Sequence, residues 1–337
     1  ITSYTNSDPA LTNVVLSGNH SGDLGGGMYG YQSDAVLTNV TFTGNTANTG
    51  GGMRNFNGSD PALYNCILWG NSASTSGDQI ANSISTPVIY YSLVQDSGGS
   101  GSWDTSLGTD GGGNIDADPQ FLDADGVDDA VGTADDNVRL EGDSPAVDAG
   151  DNDCLVATRD LDDHVRRVDM PKADTGMGIV PIVDMGAYEA HVLYVDERAP
   201  QGGAEDGSSW ADAYLIVQDG LSAAAYNTEI WVARGVYKTD EVRNPKPDPG
   251  ATFQLKNWVA LYGGFAGTET TRDQRDWEVN VTVLSGDIDD NDTTDEDGVV
   301  TDTLNVAGSN AYHVVDASGK SRSAVLDGFI ITAGQAN

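Results

Sequence analysis

Two acidic stretches contain the residues best suited to chemistry, because hard cations such as Ca²⁺ bind several carboxylate and carbonyl oxygens on loops. The predicted calcium ligands are Asp123, Asp125 and Asp128 in the first stretch, and Asp287, Asp289 and Asn291 in the second. Neither stretch matches a twelve-residue EF-hand loop, since Ala134 and Gly298 stand where its terminal glutamate belongs. The alternative interpretation is a solvated acidic loop that maintains solubility, and the sequence leaves both open.

Catalytic residues are not predicted. Polysaccharide lyases and hydrolases need a base beside calcium or paired carboxylates on one face, whereas Arg54 is the only basic residue in residues 1–102. Lys320 and Arg322 near Asp316 are the nearest approach to a lyase site, and an exposed turn explains them equally well. We therefore predict a non-enzyme and retain a polysaccharide lyase or hydrolase as the alternative.

A carbohydrate-binding surface is a second alternative. Aromatic side chains that stack on sugars could come from Tyr64, Trp69 and Trp103. Single exposed aromatic residues are common on protein surfaces, however, so surface glycans remain a weaker prediction for a partner.

Composition excludes several classes of function. The chain has 337 residues and a formal net charge of −36 at pH 7, which would repel a phosphate backbone and so argues against nucleic acid. No apolar run approaches the roughly 20 residues that a membrane span requires. The two cysteines, Cys66 and Cys154, form no metal motif. A disulfide between them remains open, but Cys66 falls at a position that is predicted to be core.

A 26-residue repeat explains most of the first hundred residues. The segment Asp8–Leu16 recurs as Asp34–Phe42 and Asp60–Leu68, and a degenerate copy runs from Thr86 to Val94. Short apolar runs interrupted by Gly and Asn are typical of strands and turns rather than helices. One copy cannot bury its own apolar face, but stacked copies can.

Stacking predicts an all-β fold, a parallel β-helix (β-solenoid) with coils of about 26 residues. Its interior columns should be Leu11, Leu37, Leu63 and Ile89; Val14, Val40 and Cys66; and Leu16, Phe42, Leu68 and Val94. Asn13, Asn39 and Asn65 should form a structural ladder at a turn, with side-chain amides bonded to one another, and Tyr91 should end it.

The repeat and the segment after it carry a family resemblance. The GGGM sequences at Gly25–Met28 and Gly50–Met53, each followed by a strand copy, resemble the polymorphic outer-membrane-protein type repeats of bacterial right-handed parallel β-helix surface proteins. Ser144–Gly150 (SPAVDAG) and Val183–Glu189 (VDMGAYE) resemble their terminal block. Asp163 departs from the pattern, where a turn glycine is expected. The resemblance implies a right-handed fold and a secreted or cell-surface bacterial protein, with little chemistry.

Charge and composition divide the chain into three segments. Residues 1–102 are predicted to be the C-terminal coils of one β-helix, and residues 103–191 an acidic closing cap and junction. Residues 192–337 are predicted to be the N-terminal cap and first coils of a second β-helix. Their one helix, near residues 217–226, should cover the open end of the strands.

The two ends of the chain fall in neighbouring phases of the repeat, because Asn337 aligns with Asn48 and Ile1 with Met53. We therefore expect the solenoid to continue end to end, either as a tandem array or as copies stacked head to tail. The predicted function is a non-catalytic extracellular fibre, stalk or surface array, with a cell-surface adhesin as an alternative. An arbitrary fragment of one long surface protein would give the same phases.

Overall fold

The computed structural model describes residues 1–170, 172–200, 202–225, 228–239, 248–321 and 323–336. The chain forms two compact units, Ile1–Ala190 and His191–Asn337. Strands dominate both, as predicted, and their sheets are largely parallel. The predicted cap at residues 103–191 is not separated from the repeats, because both belong to the first unit.

Short strands separated by turns build the first unit. They are β1 (Thr2–Tyr4), β2 (Ala10–Ser17), β3 (Met28–Tyr31), β4 (Val36–Thr43), β5 (Thr46–Thr49), β6 (Met53–Phe56), β7 (Ala62–Tyr64), β8 (Ile67–Trp69), β9 (Ser72–Ser76), β10 (Ile80–Ser83), β11 (Val88–Tyr90), β12 (Leu93–Val94), β13 (Thr109–Asp110), β14 (Phe121–Asp123) and β15 (Asn137–Leu140). Short 3₁₀ turns lie at Thr105–Leu107 and Asn152–Cys154. Within the described part of this unit, the strand pairs are parallel except for β14 with β15.

The repeat sets the register of these sheets. Leu11 pairs with Leu37, Leu37 with Leu63, and Leu63 with Ile89, and the last three side chains are completely buried. The column of Leu16, Phe42, Leu68 and Val94 is paired in the same way. Two of the three predicted interior columns are therefore confirmed, and in the third Val14 pairs with Val40. Apolar side chains at equal positions in successive copies lie next to each other and form one core.

Asparagines do form a ladder, but not at the predicted positions. Asn19 Nδ2 donates to Asn45 Oδ1, and Asn45 Nδ2 to Asn71 Oδ1, both at 2.8 Å. The backbone amides of Asn19 and Asn45 donate to the same two oxygens. Gln79 Oε1 accepts from Asn71 Nδ2 at 2.7 Å, and Gln79 Nε2 donates in turn to Gln95 Oε1 at 3.1 Å. These asparagines follow the repeated glycines Gly18, Gly44 and Gly70, which have positive φ and turn the chain.

Asp8, Asp34 and Asp60 make a second set of bonds between copies. The Oδ1 atom of each accepts the backbone amide one repeat further along the chain, as in the 2.7 Å bond from the Asp34 amide to Asp8. These aspartates therefore accept hydrogen bonds in the turn before each strand, as aspartates commonly do, and the neighbouring copy supplies the donor.

The second unit repeats the parallel pairing without the 26-residue spacing. Its strands are β16 (His191–Val195), β17 (Thr228–Ala233), β18 (Gly235–Lys238), β19 (Phe253–Gln254), β20 (Val259–Phe265), β21 (Thr282–Ser285), β22 (Val315–Asp316), β23 (Val325–Asp327) and β24 (Ile330–Thr332). Leu193 pairs with Ile230, Ile230 with Leu261, and Leu261 with Leu326. The offsets are unequal, so coils of about 26 residues describe only the first unit.

The predicted helix is present as α1 (Val217–Ala223), and Tyr226 at the end of the prediction lies outside the described residues. Val217 and Leu221 are buried in the core of the second unit, where the helix contacts β16, β17 and β19. In the described residues, no helix is both long and apolar enough to cross a membrane.

Candidate functional site

The predicted ladder residues Asn13, Asn39 and Asn65 hold a different part of the first unit. All three have a positive φ, as expected for a turn, but their amides do not bond to one another. Asn39 Nδ2 donates to the Asp184 carbonyl at 3.0 Å, and Asn65 exchanges two hydrogen bonds with the Asp151 backbone. These side chains bind residues 139–190, which we call the closing segment.

A buried ion pair lies at the same contact. Arg166 Nη1 is 3.3 Å from Glu189 Oε2, and both side chains are fully buried. Arg166 Nη2 donates to Asn13 Oδ1 at 2.8 Å and to the carbonyl of Ala187 at 2.7 Å. Removing either charge would leave the other buried and uncompensated, so the pair holds the closing segment together. The bond from Arg166 to Asn13 joins this segment to the repeats.

Two buried aspartates continue this polar cluster. Asp184 Oδ1 accepts the Asp148 amide at 2.8 Å, and Asp184 Oδ2 accepts the Ala190 amide at 2.7 Å. Asp148 is also completely buried, but both of its carboxylate oxygens lack a hydrogen-bond partner. Burial, and next the charge of Asp174, raise the pKa of Asp148 to about 8. Burial, and next the charge of Asp148, also raise the pKa of Asp184 to about 8. Because Asp184 accepts two backbone amides and Asp148 accepts none, we assign the proton of this pair to Asp148.

Asp148 also belongs to a carboxylate cluster that the sequence did not reveal. One oxygen each of Asp148, Asp169 and Asp174 lies within 4.8 Å of the other two. Asp148 is buried, whereas Asp169 and Asp174 are exposed. Three carboxylates at this separation suit an oxygen-coordinated divalent cation.

A second cluster, Asp160, Asp162 and His164, is already occupied by protein groups. Asp162 Oδ1 accepts from Arg139 Nη2 at 2.6 Å. Asp160 accepts the backbone amides of Asp162, His164 and Glu189 at 2.8 to 3.0 Å. Asp163 within this turn has a φ of 66°, so an aspartate adopts the left-handed conformation expected of the missing glycine.

The first predicted calcium loop does not bring its three carboxylates together. Asp123, Asp125 and Asp128 are absent from the described groups of three acids within 4.8 Å. Asp128 Oδ1 accepts the Ala130 amide at 3.0 Å, and Asp125 is exposed. The neighbouring Asp135 and Asp136 accept further amides of this turn. The loop is organised by side-chain to backbone hydrogen bonds.

The second predicted loop brings its residues closer. The Asn291 amide donates to Asp287 Oδ1 at 3.3 Å, and Asp289 Oδ2 accepts the Ser309 amide at 2.9 Å. Asp287 Oδ2 lies 3.5 Å from Lys238 Nζ. A lysine therefore already balances the buried aspartate of this loop, which reduces the need for a cation.

The residues of the alternative lyase and carbohydrate-binding sites, and the two cysteines, have ordinary structural surroundings. Asp316 Oδ1 accepts the Ser318 amide, as in an ordinary turn, and Arg322 lies outside the described residues. Tyr64 stacks on Tyr90 with ring centroids 4.9 Å apart, and Trp103 packs partly buried against the core. Cys66 and Cys154 are free thiols, and burial raises the pKa of Cys66 to about 12.

Comparison with known proteins adds no family. No family model, no curated protein and no solved structure matches this chain. The resemblance to bacterial surface repeats therefore stays a prediction. The closing segment is the best candidate site, because it contains the buried charges and the unsatisfied carboxylate.

Proposed function

We propose that this chain is a structural β-solenoid, a right-handed parallel β-helix whose coils continue end to end in an extracellular fibre, stalk or surface array. The in-register stacking of the repeat columns carries the proposal. Identical residues pair with their own copies in the next repeat, so the surface that binds one copy is suited to bind another. The terminal-block sequence supports a bacterial cell-surface location.

Open sheet edges support the continuation. Among the described strands, β1 and β2 each pair on one side only, and so do β23 and β24. Ile330 and Ile331 on β24 are 41% and 51% exposed. Unpaired strands with exposed apolar side chains associate with further strands unless they are covered. A further parallel coil is the partner that matches both the unpaired backbone groups and the apolar side chains.

Individual acidic side chains and the overall charge are both compatible with a structural role. Acidic side chains that could take part in catalysis are held in turns or ion pairs, as at Asp316 and Asp162. The strongly acidic surface would keep a long assembly soluble and separate from other assemblies.

Sedimentation velocity and negative-stain microscopy over a concentration series test the proposal. We expect linear assemblies that grow with concentration, and their loss in Ile331→Lys, which places a charge at the open edge. Leu304→Lys is the matched control, because Leu304 is 89% exposed and lies outside the strands. Wild-type protein that stays monomeric at high concentration, or equal behaviour of the two variants, would contradict association through this edge.

A further inference from the structure

The carboxylate of Asp148 is the most unusual polar group in the described residues of the first unit. Its side chain has no solvent exposure, and neither oxygen has a hydrogen-bond donor. A buried polar group without a partner costs about 1–3 kcal/mol, and more if it is charged. No lysine or arginine forms an ion pair with it in the part of the chain that the structure describes. Lys172, whose charge interacts with that of Asp148, donates its hydrogen bonds instead to the carbonyls of Asp143 and Ser144.

Local structure directs two further carboxylates towards this group. The amides of Thr175 and Gly176 donate to the Asp148 carbonyl at 2.9 and 3.1 Å, which holds the adjacent Asp174 beside it. Met170 is buried and anchors the residue before it, Asp169. The three acidic residues are therefore positioned by backbone bonds and by core packing rather than by bonds among their side chains.

We propose that Asp148, Asp169 and Asp174 form a calcium site in the closing segment, separate from the two acidic loops that the sequence suggested. The separation of their oxygens, within 4.8 Å, is compatible with ligands of one Ca²⁺ ion, because two oxygens at about 2.3–2.6 Å from the ion can lie up to about 5 Å apart. The exposed positions of Asp169 and Asp174 leave room for water ligands. Calcium accepts such irregular sets of oxygens, whereas magnesium requires a near-ideal octahedron.

The other acidic groups lack this combination. Asp162 is paired with Arg139, and Asp287 lies beside Lys238. Only at Asp148 do the described residues combine three converging carboxylates with a fully buried carboxylate that has no donor.

The site would clamp the closing segment. The ion would join the chain at Asp148 to the stretch that contains Asp169 and Asp174. The Asp148 amide binds Asp184, whose carbonyl is held by Asn39 of the repeats. Calcium would therefore stabilise the contact between the closing segment and the stacked strands.

Isothermal titration calorimetry of the whole chain with CaCl₂, after removal of divalent ions by chelation, tests the proposal. Asp169→Asn/Asp174→Asn removes two ligand charges at exposed positions, so the fold should be retained. Asp125→Asn/Asp128→Asn is the matched control, with two exposed ligands of the first predicted loop neutralised. We expect at least a tenfold loss of calcium affinity in the first double variant and less than a twofold change in the control.

A second measurement uses Asp148→Asn in thermal unfolding. Calcium should raise the unfolding temperature of the wild type and leave this variant unchanged. A wild type that binds no calcium at millimolar concentration overturns the site, and so does equal affinity in the wild type and the Asp169/Asp174 variant. Loss of affinity in the control alone would assign binding to the first loop and likewise refute the proposal.

Discussion

Asn45→Ala should destabilise the first unit far more than Asn19→Ala, although the two residues occupy the same position in successive repeats. Asn45 is completely buried, and its Nδ2 donates to the Leu16 carbonyl at 2.7 Å and to Asn71 Oδ1 at 2.8 Å. The variant leaves the Leu16 carbonyl without this donor, at a cost of about 1–3 kcal/mol, and loses further bonds worth about 1 kcal/mol. We expect a loss of about 2–4 kcal/mol.

Asn19 provides the control because it is exposed at the end of the ladder. Water can replace its side chain, so Asn19→Ala should cost no more than about 1 kcal/mol. Urea unfolding followed by hydrogen exchange and mass spectrometry of peptides from residues 36–76 would measure both variants, and would report this unit without requiring the whole chain to unfold in one step. Equal losses would show that stacked amides do not stabilise the repeats.

Three further predictions concern the core and the closing segment. Leu37→Ala should cost about 2–5 kcal/mol in urea unfolding, because it empties a filled interior column, whereas Ile84→Ala, at a side chain 79% exposed, should change stability by less than about 0.5 kcal/mol. Arg166→Met should lower the free energy of unfolding by about 3–5 kcal/mol, because it leaves the buried Glu189 without its ion-pair partner. Arg159→Met, which removes the exposed pair with Asp163, should lower it by at most about 1 kcal/mol. Equal losses in the two variants would contradict the role of burial. With chelator present, the first unit should lose stability as the pH rises from about 4 to 8, because the folded state keeps the Asp148 proton that the unfolded chain releases. The denaturant midpoints at pH 6 and pH 8.5 should therefore differ less in Asp148→Asn than in the wild type. An equal difference in both proteins would argue against the assignment of the proton to Asp148.

The repeat made the stacked core of the first unit predictable. A leucine at the same place in three copies, such as Leu37 and its equivalents, can be buried only if the copies lie next to each other, so spacing alone gives the register. Spacing could not identify the ladder. Asn39 and Asn45 recur with the same period, and only the three-dimensional path shows that the second faces its own copies while the first faces the closing segment.

The second unit shows the limit of the same reasoning. Its strands pair in parallel, as at Ile230 and Leu261, but insertions of different length separate them. Because the insertions differ in length, the sequence of the second unit has no constant repeat period. Parallel strand pairing could therefore be predicted, but not which residues pair. The Asp148 site was missed for a related reason. Asp148 is distant in sequence from Asp169 and Asp174, and the burial of a carboxylate without a donor cannot be recognised until the fold is known.

Left-handed asparagines connect the repeat to the site. Asn13 and Asn39 interrupt the pairing of β2 with β4, in which the residues on both sides of them are paired, so their amides are free to bind outside the sheet. Gly186 shows how close that contact is: its amide donates to the Asn65 carbonyl at 2.7 Å, and a Cβ on it would lie 2.7 Å from Ile67 Cδ1. The closing segment therefore fits only where several copies present their asparagines in register. The arrangement of the buried charges and of the carboxylates at Asp148 therefore depends on the stacking of the repeats.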